Sequence, residues 1–134
     1  MLNQLILERG HARAIIDHAE IHAPLESCGL LAGKEDRVEK VLFVRNQAQS
    51  PLRFVMDPYE QLRAFDWIET RGLELLGIFH SHPAGPETVS PTDIAEAAYA
   101  VVHVICSRSL DRWKLRGFWI EAGRVSGVPL QILE

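Results

Sequence analysis

Two stretches of this chain, LELLGIFHSH at residues 73–82 and AYAVVHVICS at 98–107, are apolar on both alternating faces. A strand with that pattern must be covered on both sides, so it lies inside a sheet with layers packed above and below. The rest of the sequence supplies the layers. RGHARAIIDHAEIHAP sets Ala12, Ile15, Ile16, Ala19 and Ile21 at near-helical spacing until Pro24 stops the pattern, which predicts a helix. Asp57 before Pro58 starts a second helix, YEQLRAFDWIETRG, with Leu62, Phe65 and Ile68 or Trp67 inward and Gly72 at its close. Ser90 and Pro91 start a third and shorter one. LNQLILE reads as an opening strand, and SCGLLAGKEDRVEKVLFVRN as a hairpin around a charged turn at 34–37. NQAQSPLRF reads as a loop, and WKLRGFWIEAG with RVSGVPLQILE as a final hairpin or strand pair. Strands alternating with helices predict an α/β (α+β) fold with a mixed central sheet flanked by helices. At 134 residues the chain fits one domain, 1–134, and is too short for two independent cores.

Composition narrows the function classes. The formal net charge is -4 and the Lys and Arg residues are scattered, so there is no basic stripe to neutralise a phosphate backbone, and nucleic acid is not an expected partner. No apolar run approaches the roughly 20 residues of a membrane helix, and the start MLNQLILERG lacks a signal-peptide pattern, so a cytoplasmic protein is expected. Cys28 and Cys106 form no C-x-x-C pair and sit among apolar residues, as buried, unreactive thiols do. A disulfide would need them on neighbouring strands, and a reducing cytosol opposes it. The oligomeric state stays open, a homodimer included.

The chemistry concentrates in GIFHSHPAGPETVSPTDIAEA, residues 77–97. Side chains two apart on a strand share a face, with Cα atoms roughly 6–7 Å apart, so His80 and His82 can converge on one ion. Pro83 frees the strand from its ladder and leaves the second histidine at the sheet's end. The turn-rich AGPETV can double back and bring SPTD over that end, with Ser90 as N-cap and Asp93 in the first helical turn. Two imidazoles and a carboxylate leave a fourth position for water, the layout of a catalytic zinc. Ser-x-x-Asp before an apolar run also reads as a capping box. Hydrolysis needs a base as well, and Glu26 in APLESCGLLAG is the candidate, although alone it reads as a loop surface residue.

Glu26, His80-x-His82 and Ser90-x-x-Asp93, in that order and spacing, resemble the JAMM or MPN+ metalloprotease family across most of the chain. The resemblance implies a fold like that of cytidine deaminases and one zinc ion on His80, His82 and Asp93. It implies Glu26 as general base and then proton donor to the leaving amine, and Ser90 as a stabiliser of the oxyanion. Family members cut peptide or isopeptide bonds after the C-terminal glycines of ubiquitin or ubiquitin-like proteins. Deubiquitinating members carry two insertions; NQAQSPLRFVM is a short first one at most and the second is absent. That favours a compact prokaryotic-type enzyme acting on a small β-grasp protein such as a sulfur-carrier protein, its extended tail adding to a sheet edge near residues 50–56. The alternatives are a non-catalytic MPN-type binding scaffold and a JAMM-like hydrolase of another substrate, including a relative of the DNA-repair-associated members. A cytidine deaminase is excluded, because no H-x-E with P-C-x-x-C is present. His18 and His22 have the i, i+4 spacing of zinc ligands but lack H-E-x-x-H order, and read as solvated. His103 reads as a satisfied core histidine, and Trp67, Trp113 and Trp119 as core or its rim.

Overall fold

The computed structural model describes residues 1–134. Its strands are β1 (Leu5–Glu8), β2 (Cys28–Lys34), β3 (Arg37–Val44), β4 (Glu74–His82), β5 (Val102–Ser109), β6 (Arg112–Glu121), β7 (Arg124–Val128) and β8 (Leu130–Leu133). They form one mixed sheet in the order β7-β6-β5-β4-β2-β3-β1-β8. Helices α1 (Arg9–His22), α2 (Pro58–Thr70) and α3 (Pro91–Glu96) complete a single-domain α+β fold. β4 runs antiparallel to β2 and parallel to β5, and α3 lies on the crossover between the two parallel strands.

Both faces of the central strands are covered, as their continuous apolar runs require. Leu31 and Phe79 face α1 together with Leu5, Leu7, Ile15, Ala19 and Val104. Their chain neighbours Leu30 and Ile78 face α2, with Val44, Ala64 and Ile68. Each such Leu, Ile, Val or Phe side chain, fully buried, contributes about 1.5–3 kcal/mol. Gly29 permits a close approach: a Cβ there would lie 2.3 Å from the Leu42 carbonyl oxygen and 2.3 Å from the Phe79 ring.

Three expectations need correction. Ile21 is 78% exposed and Leu62 66% exposed. The buried stripe of α1 is Ala12, Ile15 and Ala19, and that of α2 is Ala64 and Ile68. A residue two positions off such a stripe points to the other side of a helix with 3.6 residues per turn. The C-terminal segment is not one strand: β7 pairs with β6, but after Pro129 the chain crosses to the far edge and β8 pairs parallel with β1. Pro129 has no N–H for a ladder, and its carbonyl instead accepts from Leu5 N at 3.0 Å. Because β7 and β8 stand at opposite ends of the sheet and are joined through Pro129 alone, the sheet curls until its two edges approach.

Cys28 on β2 and Cys106 on β5 are separated by β4. Two strand spacings put them about 10 Å apart, beyond the roughly 7 Å a disulfide spans. Burial pushes both thiols up to about 12, so they are inert packing groups. No helix is long and apolar enough to cross a membrane.

Candidate metal centre

β4 delivers both histidines at its final turn of pleat, and the ladder stops at His82 because Pro83 cannot extend it. Their Nε2 atoms lie 3.1 Å apart. His82 Nδ1–H donates to the Pro86 carbonyl at 2.9 Å, a tautomer that turns the Nε2 lone pair toward His80. The chain then folds back through the turn closed by Gly85 N to the His82 carbonyl at 2.9 Å, and α3 begins over the strand end.

The capping reading of Ser90-x-x-Asp93 is realised, and the capping carboxylate also faces the two imidazoles. Ser90 Oγ accepts from Asp93 N at 3.0 Å, and Asp93 Oδ2 accepts from Ser90 N at 2.8 Å. The same carboxylate stands 3.1 Å from His80 Nε2 through Oδ1 and 3.2 Å from His82 Nε2 through Oδ2. All three side chains are buried. A tetrahedral ion with arms of about 2.0–2.1 Å has ligand-to-ligand edges of roughly 3.3 Å. One carboxylate and two imidazole nitrogens at 3.1–3.2 Å from one another match those edges, so this donor set fits zinc.

Glu26 enters from the start of β2, next to β4 in the sheet. One of its carboxylate oxygens and the two histidine nitrogens all lie within 4.8 Å of one another. Asp93 is nearer than Glu26 to both imidazoles, and Glu26 stands beside the cluster. Glu26 is 3% exposed and its Oε1 has no hydrogen-bond partner, an arrangement a charged or reacting group would satisfy. Its backbone is pinned on both sides: Glu26 N donates to the Ser50 carbonyl at 2.9 Å, and the Glu26 carbonyl accepts from Asn46 Nδ2 at 3.0 Å. β2 is locked to the histidine strand by Ser27 N donating to Ser81 Oγ at 2.8 Å and Ser81 N to the Ser27 carbonyl at 2.9 Å.

The electrostatics follow from burial and this crowding. Burial opposes ionisation of Asp93, but His80 and His82 overcome it and hold the carboxyl far below its usual range. Burial also works to lower the His82 imidazole, and Asp93, the Pro86 carbonyl and Glu26 together raise it; in His80 burial wins and the imidazole is lowered. Glu26 is pushed up to about 8, by burial first, with His82 opposing and Asp93 adding to the rise. A cation in the cluster would draw it back toward neutrality.

Ser90 is half-buried at the same strand end. Its oxygen accepts in the cap, so its O–H remains free to donate. Four contributors have no sequence signal. Phe54 stacks on His80 with ring centroids 4.4 Å apart, and Asn46, Ser27 and Ser81 hold Glu26 against the histidines. The stretch expected as a tail-binding edge near 50–56 is irregular, tied down by the Asn46–Met56 bridge and by Arg53 paired with Glu96 at 3.0 Å.

The histidines outside the motif behave differently from one another. His103 is buried beside the site, hydrogen-bonded to the Tyr99 backbone, but its Nε2 has no partner, so it is a core histidine only half satisfied. His22 is exposed as expected, whereas His18 is half-buried and stacked on Phe43, centroids 4.2 Å apart. Burial, then His22, lowers His18 from 6.5 to about 4. Between those values the unfolded chain takes up a proton that the folded imidazole resists, so stability falls as pH drops through that window. The His18→Phe variant keeps the stack and lacks the titration. Urea unfolding at pH 7 and pH 4.5 should therefore show the wild type losing ground to the variant on acidification; an unchanged gap refutes the assignment.

Known proteins resemble this chain in sequence and in fold. Residues 8–118 match the family described as prokaryotic homologs of the JAB domain. A "Desampylase" of Pyrococcus furiosus is 46% identical over 90 residues, 67% of this chain and 64% of that protein, so the match spans less than two thirds of this relative. The "Probable TtuB-protein conjugate cleaving protease" of Thermus thermophilus is 42% identical over 102 residues, 75% of this chain and 68% of that protein. A "CysO-cysteine peptidase" of Mycobacterium bovis is 31% identical over 134 residues, 97% of this chain and 92% of that protein. Among solved structures, protein DSY2949 from Desulfitobacterium hafniense superposes with a TM-score of 0.88 at 34% identity, covering 98% of this chain and 94% of that one. AF2198, a JAB1/MPN domain protein from Archaeoglobus fulgidus, shares the fold at a TM-score of 0.66 and 22% identity, covering 97% of this chain and 100% of that one. The chain therefore belongs to the prokaryotic JAB family, as a compact member of the JAMM/MPN+ group.

Proposed function

We propose that the chain is a zinc-dependent metallo(iso)peptidase that hydrolyses the peptide or isopeptide bond after the C-terminal Gly-Gly tail of a ubiquitin-like or sulfur-carrier protein. The observation that carries this reading is the donor triangle of His80, His82 and Asp93 with Glu26 beside it. The names of the relatives support the substrate class, since they describe a desampylase, a conjugate-cleaving protease and a peptidase of a CysO-cysteine linkage. The intact ligand set disfavours the non-catalytic scaffold reading. The reading includes a cytoplasmic location, in keeping with the acidic, cysteine-poor sequence.

Zinc, when bound, supplies Lewis acidity, which acidifies water and polarises a carbonyl. Asp93, His80 and His82 would hold it, with Phe54 and the Pro86 carbonyl fixing the imidazole planes. Glu26 takes the proton of the attacking water and delivers it to the leaving nitrogen, which its raised affinity for a proton suits it to do at neutral pH. The free Ser90 hydroxyl proton points to stabilisation of the oxyanion, on the order of 3 kcal/mol by analogy with other single donors.

The test is a small β-grasp carrier whose C-terminal Gly-Gly is extended by further residues. Mass spectrometry should find a cut directly after the glycines by the zinc-loaded protein, no cut after chelation, and recovery on adding zinc back. Cleavage indifferent to chelator, or none by the loaded protein, sinks the reading.

A further inference from the structure

Two buried ring nitrogens near the site have no hydrogen-bond partner: Nδ1 of His80, a candidate ligand, and Nε2 of His103, which the hydrolytic set does not use. The sheet register brings their residues together. β4 and β5 run parallel with Ile78 opposite His103 and His80 opposite Ile105, so the two histidines are diagonal neighbours. They share the α2 face, because Ile78 packs there and side chains two apart on a strand point the same way. One strand spacing and a two-residue rise set their Cα atoms about 8 Å apart, a gap that two facing imidazoles can close. Phe54 borders both: its ring stacks on His80, and with Ile78, Tyr99 and His103 it lines a cavity of about 270 Å³ that gives the rings room to turn.

We propose that His103 is a positioning residue for the metal centre, its Nε2 accepting a hydrogen bond from Nδ1–H of His80 once His80 Nε2 is given to the ion. The inference rests on the reading of His80 as a metal ligand given above.

The proton count carries it. The backbone bond of His103 to Tyr99 favours the protonated ring, so the backbone partner is a carbonyl; with Nε2 unpartnered, the donor is Nδ1–H and Nε2 is a bare acceptor. In His80, Nε2 stands 3.1 Å from Asp93 Oδ1, and that ionised carboxylate can only accept, so Nε2 carries the ring proton in this arrangement and Nδ1 is bare. Two acceptors make no bond, which is why both nitrogens stay unpartnered. An ion takes the Nε2 lone pair, and the neutral ring then keeps its one proton on Nδ1, which puts a donor beside an acceptor. The change is one of tautomer alone: Nε2 releases a proton to water and Nδ1 takes one from it before the ring settles. Metal-bound imidazoles almost always donate their second N–H to such a partner, which fixes ring plane and tautomer. His82 has the Pro86 carbonyl at 2.9 Å, and His103 is the counterpart for His80.

The test is nitrogen-15 NMR of the imidazoles in the wild-type protein, before and after loading with zinc alone. His80 should pass from the Nε2–H form to the Nδ1–H form, and its new proton should show scalar coupling across the bond to His103 Nε2. Coupling to another acceptor, or none, overturns the proposal. Two variants of matched size give a second readout through chelator competition. His103→Met removes the acceptor and should weaken zinc binding about 10–100-fold, the range for a lost orienting partner. His103→Gln, whose side-chain oxygen stands where Nε2 stood, should bind close to wild type. Equal affinity in all three proteins, or an equal loss in both variants, makes His103 a packing residue only. Wild type that binds no zinc sinks the metal centre itself, and the proposal with it; tight zinc binding without the coupling sinks His103 alone.

Discussion

Asp93→Ala will purify with less than a tenth of the metal that the wild type carries. The carboxylate is the one within 3.2 Å of both imidazoles, 3.1 Å from one and 3.2 Å from the other, and without it the two imidazole nitrogens keep only the more distant Glu26 beside them to hold a divalent ion. Residues that merely orient ligands cost about 10–100-fold in affinity when removed, and a ligand costs more. The substitution also removes half of the cap on α3, so Asp93→Asn is the companion variant. Its side-chain oxygen can still accept from Ser90 N, as the carboxylate does at 2.8 Å, while the negative charge is gone. Elemental analysis after exhaustive dialysis reads both. Metal equal to wild type in the two variants removes Asp93 from the ligand set and returns its carboxylate to the cap alone.

The parts of this site that were legible in the sequence share one property: each is fixed by its position relative to a backbone signal nearby in the chain. His80 and His82 share a face because a strand alternates, and Asp93 sits in a first turn because Ser90 and Pro91 start one. The doubly apolar runs in β4 and β5 told of a sheet covered on both faces for the same local reason. What escaped depends on who the neighbours are in space. Asn46 bonds Glu26 from twenty residues away, and Ser81 bonds Ser27 across fifty-four. A polar residue in a loop carries no mark of such a partner. Ile21 and Leu62 misled for the complementary reason, since an apolar side chain beside a stripe looks the same whether or not a strand lies beneath it. The path of the C-terminus past Pro129 required knowing that the sheet closes, which no window of sequence contains. Even Glu26 became specific only through the ordered set it belongs to, because alone it is one acidic residue before a strand.

Glu26 is also where the distinction between binding and catalysis can be measured. Glu26→Gln will keep its metal and its fold and lose cleavage by a factor on the order of 10²–10⁴, the range for a positioned acid or base. The retained fold follows from burial: at 3% exposure a carboxylate is held near a pKa of about 8, so the site already accepts the neutral form, and the amide is neutral with the same shape. The retained metal follows from distance, since Asp93 closes the donor triangle and Glu26 stands beside it. The lost activity follows from chemistry, because an amide cannot take the water's proton or return it to the departing nitrogen. The deficit should appear in kcat with KM little changed, as expected of a group that acts in the transition state. Elemental analysis, thermal unfolding and cleavage of the extended carrier separate the outcomes: full activity takes the proton shuttle away from Glu26, while metal lost together with activity makes Glu26 a fourth ligand.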